Sequence, residues 1–151
     1  MNLSKNAKCT RLSNALAAGT GTTNCTAVDT KGFKSTTFYL LLGAVGVSSP
    51  HGTVQLKIQQ SPNESASPDD YADLAGTGQT LTTTGDNQVL IVEVDSARER
   101  YLRPVIVRSG GTAVVDGLIC LQTKAYAEPV AHDSSTVGGS EFHLAPAEGT
   151  A

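Results

Sequence analysis

At 151 residues the chain is the size of one domain and is long enough to bury a core without disulfide or metal staples. Only 17% of residues are charged and the formal net charge is -3, which sets aside both the basic balance of a nucleic-acid binder and the acidic balance of a solvating tail. Aromatic residues make up 5% and tryptophan is absent, so the ring platforms that RNA- and glycan-binding surfaces rely on are scarce.

Residues 1–34 are mixed. Lys5 and Lys8 are not followed by a long apolar run, so no secretory leader is expected and synthesis in a cytoplasm is. Leu12, Ala15 and Leu16 have the spacing of one helical turn, which Gly19-Thr20-Gly21-Thr22-Thr23-Asn24 ends at once. The expectation for this segment is an N-terminal arm or loop with one short strand near Cys25–Val28. The first firm strand is Ser35–Leu42, apolar on both faces through Phe38–Leu42 and so expected to be covered on both. After a turn at Ser48–Gly52, Thr53–Gln60 alternates strictly. Val54, Leu56 and Ile58 point one way; Gln55, Lys57 and Gln59 point the other. These two runs are expected to pair as a hairpin.

Ser61–Asp73 reads as a polar loop of about a dozen residues, long beside a median of roughly 4–6. A short strand is expected over Gln79–Thr83, then a turn at Thr84–Asn87. Three apolar runs follow: Val89–Val94, Arg100–Arg108 and Thr112–Thr123. They predict an antiparallel three-strand meander at the centre of an all-β domain. The first run is expected inside the sheet. The second carries Pro104 and alternating charge, so it is expected at an edge or bulged. Gly117 marks a bend or bulge in the third. Beyond it, 125–151 has no sustained period and reads as an extended C-terminal tail, with Val130, Val137, Phe142 and Leu144 as its apolar anchors.

Motifs for chemistry are thin. Cys9, Cys25 and Cys120 are an odd, widely spaced set, unlike a disulfide framework or a zinc site; Cys120 sits in an apolar run and reads as a small buried hydrophobe. His51, His132 and His143 stand apart and read as loop histidines. Asp69, Asp70 and Asp73 lack the alternation and distal glutamate of a calcium loop. No Gly-x-Ser-x-Gly elbow occurs, and the Gly19–Thr23 stretch lacks the Lys-Ser/Thr ending of a phosphate loop. The densest charge is Arg98, Arg100, Arg103 and Arg108, diluted by Glu93, Asp95 and Glu99. It reads as edge-strand charge that blocks aggregation, or as ion-pairing groups for an acidic partner.

Taken in order, Val28–Phe38, Val54–Ser61, Arg100–Pro104 and Pro146–Ala151 resemble the small decoration, or cement, proteins of tailed-bacteriophage capsids. The resemblance lies in order and texture over most of residues 20–151. It implies an antiparallel, jelly-roll-like β-sandwich with an extended N-terminal arm and C-terminal tail, divided as 1–34 arm, 35–124 sandwich and 125–151 tail. The implied function is non-enzymatic: binding to the outer surface of the head and cementing neighbouring major capsid protein subunits around packaged DNA. It further implies a homodimer or homotrimer, located in the virion, with no catalytic residue, metal or cofactor and no nucleic-acid or membrane partner. Candidate interface residues are Arg98, Arg100, Arg103, Phe142, His143 and Leu144. The competing expectation is a carbohydrate- or receptor-binding sandwich module on the virion surface, which the scarcity of aromatics disfavours.

Overall fold

The computed structural model describes residues 2–46, 52–65, 70–82, 86–144 and 148. His51, Asp69, most of the two expected turns at 48–52 and 84–87, and the final Pro146–Ala151 motif, Glu148 excepted, lie outside the described residues. The fold is all-β and antiparallel. One helical turn, α1 (Leu3–Asn6), precedes β1 (Lys8–Ser13), β2 (Leu16–Asn24), β3 (Val28–Asp29), β4 (Phe33–Val45) and β5 (Thr53–Ser61). Then come β6 (Ala72–Asp73), β7 (Gln79–Thr82), β8 (Val89–Asp95) and β9 (Tyr101–Ala125).

The sheet is organised around β9. Its first arm pairs with β5 on one side, from Ser61↔Tyr101 to Thr53↔Ser109. On the other side it pairs with β3 and the end of β2. Its second arm pairs with β4 from Val45↔Ala113 to Phe33↔Ala125 and, across its other edge, with β1 and the start of β2. The two ends of β9 converge: Asp29 is paired with Tyr101, and its carbonyl accepts a hydrogen bond from Gln122 Nε2 at 2.8 Å. β9 is therefore a V, and one continuous sheet is bent over itself into a sandwich-like body. Residues from both arms enclose a single core that includes Phe38, Leu40, Leu56, Ile58, Leu102, Ile106, Leu118 and Cys120.

The V closes at a point where backbones nearly touch. Gly110 has φ +80°, a left-handed conformation that favours glycine. Beside it the Gly46 N–H donates to the Thr112 carbonyl at 2.6 Å, and a Cβ on Gly46 would lie 2.7 Å from that same oxygen. A Cβ on Gly111 would lie 2.9 Å from the Gly52 nitrogen. Arg108 braces the bend from the core side, donating through Nη1 to the Ala17 and Ala113 carbonyls at 2.8 and 2.9 Å.

Several expectations need correction. The three apolar runs do not form a meander: β8 pairs with β4, and the second and third runs are one strand. Ser109–Gly111 bends the ladder without ending it, because the glycines there let the strand turn rather than reverse. Nor do β4 and β5 form a hairpin; β9 lies between them. β8, expected inside the sheet, is an edge strand with Val89 46% and Ile91 54% exposed. The first arm of β9, expected at an edge or bulged, has neighbours on both sides and keeps an unbroken register with β5. Pro104 is accommodated there because its carbonyl accepts the Cys25 N–H at 3.0 Å. Its nitrogen therefore faces the gap between β2 and β3, where the ladder is already broken.

The segment expected as an arm contributes α1 and three strands, with Leu12, Cys25 and Val28 in the core. Leu12 and Leu16 lie on β1 and β2, not on a helical turn, because pairing to β9 supplies hydrogen bonds that a single turn could not. The alternation of β5 holds, with Val54, Leu56 and Ile58 fully buried. In β4 only one apolar face is in the core, and Leu41 on the other is 37% exposed. At Gly117 the register slips by one residue, from Leu41↔Gly117 to Leu42↔Val115, which is the expected bulge. No helix among the described residues is long and apolar enough to cross a membrane.

Candidate partner interface

The six candidate interface residues separate into three settings. Arg98 and Arg100 lie on the link from β8 to β9, at the end of the sandwich where β9 converges. Arg98 is exposed and borders a cleft of about 300 Å³ between this link and Leu74–Thr77. Arg100 is exposed but committed to a fork: Nε and Nη2 donate to the two Asp29 carboxylate oxygens at 3.0 and 2.7 Å. Two-point contact of this kind fixes both planes. The Arg100 carbonyl in turn accepts from the Thr30 N–H and Oγ1 at 2.9 and 2.8 Å, so the residue ties β3 to the start of β9. Hydrogen bonding to Arg100 holds the Asp29 carboxyl below its ordinary pKa, helped by the Lys31 N–H.

Arg103 is in the second setting. It is only 8% exposed, so it presents no charge to a partner. Its guanidinium lies 3.8 Å from the centroid of the Tyr71 ring, and Nε and Nη2 donate to Gln59 Oε1 at 3.1 and 2.6 Å. The loop leading into β6 drops Tyr71 over the sheet, and the Tyr71 hydroxyl donates back to the Glu64 carbonyl at 3.0 Å. Asp73, expected in a loop, is in β6, where Lys57 Nζ and Gln59 Nε2 donate to its carboxylate at 2.8 and 2.7 Å. Those two contacts lower its pKa. Gln59 is thus shared between Arg103 and Asp73. Sequence reasoning missed this group because Arg103 and Tyr71 lie 32 positions apart in the chain and no short motif joins them.

Phe142, His143 and Leu144 form the third setting, on the C-terminal tail. The tail first runs back along the N-terminal segment. The Val130 N–H donates to the Lys5 carbonyl at 2.8 Å, and Asn6 Nδ2 donates to Glu128. His132 Nδ1 accepts from the Cys9 N–H at 3.3 Å, while its Nε2 lies 3.1 Å from the Ser4 carbonyl. Together these assign the neutral tautomer with the proton on Nε2. Val130 and Val137 are half-buried against the chain's own fold. The end of the tail is less covered: Phe142 is 47% exposed, with Lys5 Nζ 5.5 Å from its ring centroid, and Leu144 is 84% exposed. The exposed His143 has Nε2 2.8 Å from Glu141 Oε2.

Around Arg98 and Arg100 the charges balance. Asp95 takes Lys124 at 2.6 Å and Lys34 at 4.0 Å, and hydrogen bonding from Lys124 and Ser96 lowers its pKa. This end of the molecule is a lattice of opposite charges rather than a basic patch. All three cysteines are free thiols; burial pushes Cys25 up to about 11 and Cys120 to about 12, far from thiolate reactivity at neutral pH. Among the described residues, no group of three or more His, Cys, Asp or Glu side chains converges as a metal ion would need. No protein-family model matches the sequence, and no characterised protein matches it either.

Proposed function

We propose that this chain is a non-enzymatic structural protein of a bacteriophage virion. In this reading it binds the outer surface of the capsid and cements neighbouring major capsid protein subunits, stabilising the DNA-filled head. The observation that carries the reading is the contrast between a rigid bent sheet and a chain end whose apolar groups are uncovered. The sheet offers a body held by long ladders and one core. The tail, anchored through Val130 and His132, leaves the body with Phe142 and Leu144 exposed, and these fit insertion into a neighbouring surface. Ordering chain costs roughly 1–2 kcal/mol per residue, so a tail already tethered over part of its length has less to lose on docking. A repeated lattice then multiplies weak individual contacts. Arg98 is the second contact point in this scheme, exposed and outside the forked pairing that occupies Arg100.

The test is made on particles. Purified heads should carry the protein in many copies, and heads lacking it should release DNA at lower temperature. Leu144→Asp should leave the protein folded and reduce its occupancy on heads several-fold. Recovery only from the soluble lysate, never from virions, would remove the reading.

A further inference from the structure

Beyond Pro129 the tail lies along the free edge of β1. Among the described residues β1 pairs only with β9, and Cys9 sits opposite Leu121. In an antiparallel ladder alternate residues turn their N–H groups inward to the neighbouring strand and outward to the open edge. The Cys9 N–H donates to His132 Nδ1 at 3.3 Å, so it is an outward one, and the imidazole stands where a further strand would pair. Covering an edge in this way keeps it from templating contacts with other chains. The cover hangs on one ring. Among the described residues three hydrogen bonds join the tail beyond Pro129 to the rest of the fold: one from the Val130 N–H to the Lys5 carbonyl, and the two of His132. Nδ1 must be bare to accept from Cys9, so Nε2 carries the proton and donates to the Ser4 carbonyl at 3.1 Å. A second proton on the ring has only Nδ1 to go to. There it meets the Cys9 N–H donor to donor, and that bond is lost.

We propose that His132 is a protonation latch: the neutral ring holds the tail over the β1 edge, and the imidazolium releases it. Histidine is the side chain whose ordinary charge change falls between pH 5 and 8, so the latch works under mild acid. The ring lines a groove of about 300 Å³ beside Leu3, Ala7 and Leu121, through which solvent protons reach it. The ionisable groups on the elements packed around it are Lys5 on α1, Lys8 and Cys9 on β1, and Glu128, Asp133 and Glu141 on the tail. Burial raises the Cys9 thiol, which therefore stays neutral. The carboxylates are engaged elsewhere. Asp133 accepts from the Ser135 N–H and Oγ at 2.8 and 2.7 Å, Glu128 from Asn6, and Glu141 lies against His143. None bonds the ring, so an imidazolium at 132 gains no acid partner to offset the lost Cys9 bond, and the two lysines oppose its charge. Release bares the Cys9 stretch of the β1 edge and lengthens the free chain that carries Phe142 and Leu144. No tail residue belongs to the core, so the sandwich itself stays intact. The latch is a property of the isolated chain and operates independently of any capsid.

Backbone amide NMR relaxation on the full chain tests this, at about pH 7.5 and at about pH 5, where ordinary carboxylates are still ionised. Order parameters over residues 130–137 should lie near ~0.85 at the higher pH and fall below ~0.6 at the lower, while those of β4 and β9 hold. The fall should track the titration of the His132 ring itself, read from its ring proton shifts. His132→Gln, which can accept and donate but cannot ionise, should abolish the response to pH. His143→Gln should leave it intact. A tail as ordered at the lower pH as at the higher overturns the proposal, and so does a fall that survives His132→Gln or disappears in His143→Gln.

Discussion

β8 and the first arm of β9 invert what their compositions suggest. β8, Val-Leu-Ile-Val-Glu-Val-Asp, is the more apolar, yet it sits at an edge with alternate side chains in water. The first arm of β9 carries Arg103, Pro104 and Arg108, yet it runs through the middle of the sheet with every residue from Tyr101 to Ile106 buried. Hydrophobicity decides which side chains face the core; pairing decides which strand is central. β9 is central because it is long enough, at 25 residues, to serve both halves of the sandwich. The two arginines are tolerated because built partners meet them: Gln59 and the Tyr71 ring for Arg103, and two carbonyls for Arg108 Nη1.

The sharpest test of that contrast is a pair of truncations. Leu102→Ala, at a fully buried position in β9, should cost about 2–5 kcal/mol. Ile91→Ala, on the outer face of β8, should cost under about 0.5 kcal/mol in the monomer. Urea midpoints measure both, and equal losses would mean that β8 is as central as its composition. By the same logic Val92→Asp should unfold the protein, whereas Ile119→Asp, on the half-buried outer face, should not. Arg103→Glu comes next. It places an unpaired carboxylate against Gln59 Oε1 in a buried setting and should cost about 3 kcal/mol. A variant as stable as wild type would return Arg103 to the surface. Gly46→Ala follows, at about 1–3 kcal/mol from crowding the Thr112 carbonyl where the V closes.

The fold class was legible because alternation in β5 and β-branched runs in β8 and β9 are local signals. The bulge at Gly117 and the burial of Cys120 were legible for the same reason. Pairing was not: Ser109-Gly110-Gly111 looks like a hairpin turn, and only the ladder of β4 and β5 on either arm shows that the strand bends instead of reversing. The N-terminal strands were hidden because β2, rich in Gly, Ala and Thr, has little apolar period of its own and is held by β9. At the candidate interface, the exposure of Arg98, Phe142 and Leu144 follows their sequence setting. The burial of Arg103 depends on Tyr71, brought in by a loop that carries no signal of where it lands.

The smallest expected effect tests how much the exposed charge pairs add to a sheet whose core does most of the holding. Asp29, Asp73 and Asp95 all have folded-state pKa values lowered below the ordinary 3.8, chiefly by hydrogen bonds from Arg100, Lys57 and Lys124 respectively. A lowered carboxyl pKa means that the unfolded chain takes up protons first as pH falls. The pairs therefore contribute fully above the ordinary carboxyl range, and their contribution is lost as pH drops through 3.8 toward the lowered folded values. All three sites are substantially solvent-exposed, so the loss should be small and should shrink further in high salt. Melting temperature measured from pH 6 down to pH 2 should fall along this curve, and Asp29→Asn should flatten only a part of it. A steep, salt-insensitive loss already complete at pH 5 would instead require a buried ionised group, and would move the source of acid lability from these exposed pairs into the sheet.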